Sequence, residues 1–255
     1  LNPPVPPEDA DGYFGESVAA SYDETSPELG SMFSPEAIDP VVDKLVELAQ
    51  GERVLEFAIG TGRIALPLAA RGVDVHGIEL SRAMVERMRN KPGGGAIPVA
   101  LGDMSTTSVD GTFGLVYLVF NTIGNLTTRE AQVACFRNAA AHLVPGGRFV
   151  IEVGIPELRR LAPGERYVVF DAGHDHWGID EYDVLNQRLV SHHFERIDGR
   201  WELTSLPFRY VWPAELDLMA ELAGMRKVDR WADWKGAPLT DESRQHVSVW
   251  EKNAG

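Results

Sequence analysis

The stretch Arg53-Val54-Leu55-Glu56-Phe57-Ala58-Ile59-Gly60-Thr61-Gly62-Arg63 constrains this chain more than any other. A short apolar run breaks on glycine and passes into a helical pattern. Glycine lets a ligand approach the backbone closely, because no side chain intervenes. The first amides of the following helix point out of such a turn as free donors. A second apolar run, Val73-Asp74-Val75-His76-Gly77-Ile78, ends in Glu79, a carboxylate placed to accept hydrogen bonds from a ribose. A glycine turn followed by that acid points to a nucleoside-containing cofactor.

Around this stretch, strand and helix patterns alternate. Strands are expected at 53–58, 73–78, 97–101, 113–120 and 147–153, and helices at 62–71, 81–90, 128–143 and 156–162. Ser34-Pro35-Glu36 starts a further helix, with serine as cap and proline at the first helical position. Such alternation implies an α/β fold, doubly wound, with a mostly parallel sheet covered by helices on both faces. Beyond residue 164 the pattern changes to successive strands, with Asn186-Gln187 and Asp198-Gly199 as turns. This reads as an antiparallel β insertion. Pro213 then opens a helix that Gly224 closes, and strands at 226–231 and 246–251 finish the sheet, the last one reversed. The expected division is 1–35 as tail and lid segment, 36–163 with 211–255 as cofactor-binding core, and 164–210 as insertion. Residues 1–7 are proline-rich and read as an extended, mobile tail, and Leu1 in place of methionine is taken to mean that the natural beginning lies upstream.

The formal net charge of -14 repels phosphate backbones and anionic lipid surfaces, so nucleic acid and membranes are poor partners. Cys135 is the one cysteine, which excludes an internal disulfide and suits a reducing cytoplasm. It reads as a small apolar helix residue rather than a nucleophile. No apolar run reaches membrane-spanning length.

Gly60-Thr61-Gly62-Arg63-Ile64-Ala65 also fits G-x-G-x-x-A, the dinucleotide fingerprint, so a NAD-dependent oxidoreductase is one alternative. Three features favour S-adenosylmethionine. Glu56 would repel a pyrophosphate but attracts the ammonium of a methionine moiety. Asp103, in Gly102-Asp103-Met104 after the third strand, can accept the exocyclic amine of adenine. The closing strand pattern is the third.

Together, Glu56-Phe57-Ala58-Ile59-Gly60-Thr61-Gly62-Arg63, Glu79-Leu80-Ser81, Gly102-Asp103-Met104 and Leu143-Val144-Pro145-Gly146-Gly147 resemble the class I S-adenosylmethionine-dependent methyltransferases. The resemblance covers about residues 36–155 and the C-terminal strands; as a set the motifs are specific. The insertion is similar to that of small-molecule and natural-product members. The family implies a seven-stranded sheet with a C-terminal antiparallel strand, and the cofactor across the carboxyl ends of the first strands. It implies that Glu56, Gly60 and Gly62 line the methionine and ribose side, Glu79 holds the ribose hydroxyls, and Leu80 packs on the adenine. It places Asp103 on the adenine amine, the Met104 backbone beside it, and Phe120 and Asn121 near the methyl group. Phe57 and Ala58 depart from the glycine often found before the loop, which puts only the loop's fine shape in question.

The expected reaction moves a methyl group to a small-molecule nitrogen or oxygen, possibly on a sugar or other biosynthetic intermediate, and releases S-adenosylhomocysteine. Monomer and homodimer both fit, and a non-catalytic cofactor-binding protein of the same fold is the other alternative. Tyr22, in the aromatic segment 11–23, either contacts the cofactor as part of a lid or anchors its helix. Arg63 either clasps the methionine carboxylate or faces solvent. Phe120-Asn121-Thr122-Ile123 is not the Asp/Asn-Pro-Pro-Tyr tetrad of amide and exocyclic-base methylation, and Asn121 is its one polar candidate. His174 and His176, which share a face if the piece is extended, are candidate bases for an oxygen acceptor. With Asp171, Asp180 or a histidine of 192–193 they have metal-type chemistry, but no compact ligand signature, and no metal is expected. Adjacent His192 and His193 face opposite sides of a strand. Arg209 either binds an acidic substrate group or pairs with a carboxylate of this acidic chain.

Overall fold

A computed structural model describes residues 12–23 and 32–254. The expected tail at 1–7 lies outside the described residues. In chain order the elements are α1 (Glu16–Ser21), α2 (Pro35–Ala49), β1 (Val54–Phe57), α3 (Ala65–Ala70), β2 (Val75–Glu79), α4 (Arg82–Arg89), β3 (Val99–Leu101), β4 (Phe113–Leu118), α5 (Arg129–His142) and β5 (Leu143–Gly154). They continue with β6 (Tyr167–Ala172), β7 (His176–Asp183), β8 (Arg188–Ile197), β9 (Arg200–Arg209), α6 (Pro213–Leu222), β10 (Met225–Trp231) and β11 (Gln245–Lys252).

The main sheet has seven strands in the order β10-β11-β5-β4-β1-β2-β3. Strands β1 to β5 run parallel, and β11 lies antiparallel between β5 and β10. The fold class read from the sequence is therefore the one observed. Each central strand is apolar on both faces because helices cover both. Phe57, Leu118, Phe149 and Trp250 pack under α5 and α6, while Val54, Leu115, Tyr117 and Val249 pack under α2 and α3. Local chemistry starts the helices. Pro35 occupies the first turn of α2, the Ser81 hydroxyl accepts from Met84 N at 3.1 Å, and the Thr128 hydroxyl accepts from Ala131 N at 3.1 Å. Among the described residues no helix is long and apolar enough to cross a membrane.

The second sheet is an antiparallel ribbon in the order β6-β7-β8-β9. Asp198 and Gly199 both have positive φ (50° and 77°) and join β8 to β9 in the two-residue hairpin that the sequence announces. The expected helix at 156–162 is only one tight turn, Leu158–Arg160. Pro156 and Pro163 bracket it, and the residue before a proline is driven out of helical conformation. His174 falls in the turn before β7 and not on a strand, so it shares no strand face with His176.

One buried cluster ties the ribbon to the core. Arg209, at the end of β9 and 6% exposed, donates to Gln132 of α5, to Gln187 at 3.1 Å and to Glu215 of α6 at 2.6 Å. Gln132 in turn donates to the carbonyls of Ile123 and Arg209, both at 3.1 Å. Arg209 is thus spent on internal partners. Replacing it with Met leaves the oxygens of two amides and one oxygen of Glu215 without their donor in a largely buried setting, although Gln187 still donates to the other Glu215 oxygen at 2.8 Å. We expect R209M to cost about 3–5 kcal/mol in urea unfolding; a loss under about 1 kcal/mol would mean the cluster does not anchor the ribbon.

Candidate functional site

The order of the main sheet reverses between β1 and β4, and ligands of such sheets bind at the carboxyl ends beside that switch. There the chain after β1 turns through Ala58, Gly60 and Gly62 with φ of 53°, 56° and 81°. Gly62 has no room for a side chain: a Cβ would come within 2.7 Å of Met88 and 2.9 Å of Leu66. Gly62 therefore seats the turn against α4 and leaves contact with a ligand to Gly60.

Glu79, at the end of β2 and 7% exposed, holds the turn from the side. Its carboxylate accepts from Gly60 N at 2.7 Å and from Ser81 N at 2.9 Å. A carboxylate has about four lone-pair sites, so one group can hold the turn and also face a ligand. Asp103, after β3, accepts from Ser105 N at 2.7 Å through one oxygen, and its second oxygen is the spare acceptor there.

A cleft of about 180 Å³ lies over these groups. Of the residues expected at the cofactor, Tyr22, Gly60, Glu79, Leu80, Asp103 and Met104 line it. Sequence reasoning missed Phe14, Ala58, Ile78, Thr122, Asn125 and Leu126, which also line it. Phe14 sat in the aromatic N-terminal segment, and Thr122 to Leu126 directly follow Asn121, so proximity along the chain was the available signal. Among the described residues, the walls of the cleft carry two carboxylates and no Lys or Arg. That suits an adenosine with a cationic methionine arm and does not suit a pyrophosphate.

Glu56, Gly62, Arg63, Phe120 and Asn121 are not on the walls of this cleft. Glu56 is 3% exposed and accepts from the Tyr117 hydroxyl at 2.7 Å, behind the glycine turn. Burial pushes its carboxyl up to about 8, against the opposing pull of the Tyr117 hydrogen bond and Arg63. The guanidinium of Arg63 lies 5.0 Å from the Phe120 ring and 6.0 Å from that of Phe33, and it donates to Met32 O at 3.2 Å. Arg63 thus braces the chain before α2 against the turn after β4. Phe120 and Asn121 are consecutive non-glycine residues with φ of 61° and 59°, a pairing that costs about 1–3 kcal/mol per residue. Glu152 of β5 holds them there, accepting from Phe120 N at 3.0 Å through its side chain and from Asn121 N at 3.2 Å through its carbonyl. The Asn121 side chain accepts from Gly154 N and so is engaged with the backbone.

The N-terminal segment closes over the cleft. Ser81 Oγ donates to Phe14 O at 2.7 Å. Asp23, just after α1, accepts from Thr61 Oγ1 at 2.7 Å and meets Arg87 at 3.1 Å and Lys91 at 2.6 Å. Burial works against its charge, yet the hydrogen bonds from Lys91, Thr61 and Arg87 hold its carboxyl below the ordinary range. Tyr22 meets Phe33 edge-on at 6.2 Å, and burial raises its phenol.

The two candidate histidines stand apart from this cleft. His174 has an 81% exposed side chain that bonds neighbouring Asp175 at 2.7 Å. His176, on β7, bonds Asp171 at 2.6 Å and His193 at 3.0 Å. His192 meets Ser205 and Glu181 on the opposite face of the ribbon from His193. Among the described residues no group of three His, Cys, Asp or Glu is placed to hold a metal ion.

Residues 54–147 match the family model of a methyltransferase domain. The chain is 34% identical in sequence to the solved CcbJ methyltransferase of Streptomyces caelestis, with a TM-score of 0.83 over 94% of this chain and 98% of that one. The chain belongs to the class I S-adenosylmethionine-dependent methyltransferases. It is also 28% identical over 240 residues to cypemycin N-terminal methyltransferase of Streptomyces sp, covering 91% of this chain and 97% of that protein. A dTDP-4-amino-2,3,4,6-tetradeoxy-D-glucose N,N-dimethyltransferase of Saccharopolyspora spinosa is 30% identical over 207 residues, 80% of this chain and 73% of that protein. The chain is thus an enzyme that uses S-adenosylmethionine, and both the nicotinamide and the non-catalytic alternatives are set aside.

In this methyltransferase the buried Glu56 carries a pH signature. Its folded value near 8 lies above the ordinary carboxyl value of 4.5. Between those two values the folded state keeps a proton that the unfolded chain has lost. Stability therefore falls as pH rises through that window, by at most about 1.4 kcal/mol per unit. Urea unfolding of wild type and E56Q from pH 4.5 to 8 should show the gap between them change across the window; parallel curves would contradict a protonated Glu56.

Proposed function

We propose that this methyltransferase acts on the nitrogen of a small amine, an amino sugar or related natural-product intermediate. When bound, S-adenosylmethionine supplies a methyl group on a sulfonium, leaving S-adenosylhomocysteine. The residues of the chain then have to align the acceptor, exclude water and manage a proton, and alignment alone supplies up to roughly 7–11 kcal/mol. In this reading Glu79, on the wall of the cleft, takes the ribose hydroxyls. Leu80 packs on the adenine, Asp103 takes the adenine amine with its free oxygen, and Met104 lies beside it. Phe14 and Tyr22 cover the cleft. Glu56, Gly62 and Arg63 shape the site from behind, and Phe120 and Asn121 do so through their strained turn. His174 has no part in it.

The observation that carries the amine is the face that the insertion turns to the core. Phe208 of β9 lies over Gly124, 3.6 Å from where a Cβ would stand, in the Thr122–Asn125 turn that contributes to the cleft. By strand alternation that face also bears Asp180, whose carboxyl burial raises. A half-buried acid there is ionised by a cationic acceptor placed beside it, since an opposite charge favours the carboxylate. The printed names of two relatives, an N-terminal methyltransferase and an N,N-dimethyltransferase, point the same way. The net charge of -14 supports a small acceptor over nucleic acid or a lipid surface. The free buried thiol of Cys135 supports a cytoplasmic setting. The cleft is built within one chain, so the reading requires no second subunit.

Radiolabelled transfer to a panel of amino sugars and their hydroxyl analogues, matched in skeleton, tests the acceptor. Labelling of amines alone is expected; labelling of hydroxyl analogues alone would overturn the amine reading. Calorimetry of S-adenosylhomocysteine tests the cofactor roles. E79A should lose about 1.5–3 kcal/mol of binding free energy, through the ribose contact and the unpaired Gly60 amide. Unchanged affinity would remove Glu79 from the site.

A further inference from the structure

Toward its hairpin end the ribbon carries its apolar side chains on the face turned away from the core. Trp177 of β7 stands opposite Phe194 of β8, and Phe194 opposite Leu203 of β9. Two residues along the strands, Ile179 and Trp201 continue the same face. The face toward the core bears His193 opposite Thr204 and Glu195 opposite Glu202 in that stretch. Side chains alternate between the faces of a strand, so this pattern marks the outer face as the one made for burial. An antiparallel sheet that buries one face normally leaves the other polar. This one buries Val168 and Tyr182 toward the core and is apolar on its outer face as well. That outer face is exposed. Trp177, Trp201 and Leu203 are 52%, 50% and 57% exposed, and Tyr167 and Val169 of β6 extend the patch at 52% and 53%. The Trp177 and Trp201 rings stand 6.0 Å apart and, with Ile179 and Phe194, line a groove of about 350 Å³. The charges that flank the patch are paired within the chain. Glu181 meets Arg166 and His192, each at 3.6 Å, and Arg196 meets Asp175 at 3.9 Å.

We propose that this face is where two copies of the chain pack, ribbon against ribbon, about a twofold axis. Charge and size select a second copy as the occupant. A patch whose flanking charges are already paired gives a charged partner no handle, and the formal net charge of -14 repels anionic lipid and nucleic acid. Two copies of so acidic a chain repel each other least across a neutral surface. Four strands at a spacing of about 4.8 Å and seven residues at about 3.4 Å each make a face of roughly 19 by 24 Å. That is roughly 450 Å² in projection, where an apolar patch of a few hundred Å² already marks an interaction surface. Standing side chains and a polar rim bring it toward the about 800 Å² that a stable interface takes from each partner. Twisted sheets stack face to face at about 10 Å with their strands about 30° apart, and the ribbon has that form. A twofold contact presents the same patch from both sides. Leu203 stands at the rim of the groove, opposite Phe194. The axis carries it into the partner's groove between the two tryptophans, while the partner's Leu203 enters the groove here. The ribbon is then held at both ends, by the Arg209 cluster where β9 reaches the core and by the second copy near the Asp198-Gly199 hairpin. The cofactor cleft lies on the core side of each ribbon and stays within one chain.

The test is the mass of the full chain in solution, read by sedimentation at about 100 μM, well above a micromolar dissociation constant. Wild type is expected at twice the 28.0 kDa of one chain. L203R and W201R each place a charge in the middle of the contact and should raise the dimer dissociation constant about 30-fold or more. L218R, on the exposed side of α6, is the control and should leave the mass unchanged. None of these three residues lines the cleft, so each variant should bind S-adenosylhomocysteine as wild type does and keep its near-ultraviolet dichroism. If L203R loses the fold, L203S reads the same contact without a charge. A wild type that stays at 28.0 kDa overturns the proposal, whatever else the face binds. A dimer that the substitutions at Leu203 and Trp201 leave intact, or that L218R alone breaks, puts the contact on another face and overturns it as well.

Discussion

The bridge that Glu79 makes between the Gly60 and Ser81 amides is the contact on which the site depends. One carboxylate ties the turn after β1 to the end of β2 and to the first turn of α4. Without it, the glycine turn would lose the hydrogen bond that a side chain of the second strand makes to its backbone. Glu79 also lines the cleft, so the group that shapes the loop is the group that faces the ligand. A carboxylate already held by two amides is a fixed acceptor that needs no reorganisation when a ribose arrives.

The rest of the edge is held rigid by residues behind it. Glu56 and Tyr117 fill the space under the turn, and Gly62 locks it onto Met88 and Leu66. Glu152 stabilises two left-handed residues after β4, and Arg63 spans from there to the chain before α2. Asp23 fastens the N-terminal segment to the same turn through Thr61 and to α4 through Arg87 and nearby Lys91. The Arg209–Gln132 cluster does for the insertion what Asp23 does for the lid, since Gln132 also holds the Ile123 carbonyl in the turn that reaches the cleft. Cofactor side and acceptor side are thus braced by separate polar clusters that meet at the carboxyl ends of β1 and β4.

Much of this was legible in the sequence, for a physical reason. Gly60, Glu79, Leu80 and Asp103 sit at strand ends, where the residue's place along the chain nearly fixes its place in space. The alternation of patterns fixed the fold class in the same way, and Asp198-Gly199 fixed its hairpin. The sequence points Glu56 at the ligand and leaves Arg63 between ligand and solvent, because a strand or helix residue has two directions available. What decides between them is a partner distant in sequence: Tyr117 lies 61 residues from Glu56, and Met32 lies 31 residues from Arg63. His174 and His176 were treated as a pair because they are two apart, but a turn intervenes. The true partners of His176 are Asp171 across one hairpin and His193 across the next, and ladder register is what brings them together.

The most direct test is a crystal structure with S-adenosylhomocysteine bound. The account predicts both ribose hydroxyls on Glu79, the adenine amine at the free oxygen of Asp103, and the sulfur directed toward the Thr122–Asn125 turn with the insertion's inward face beyond it. A ribose bound away from Glu79, or a sulfur directed away from that turn, would contradict the account.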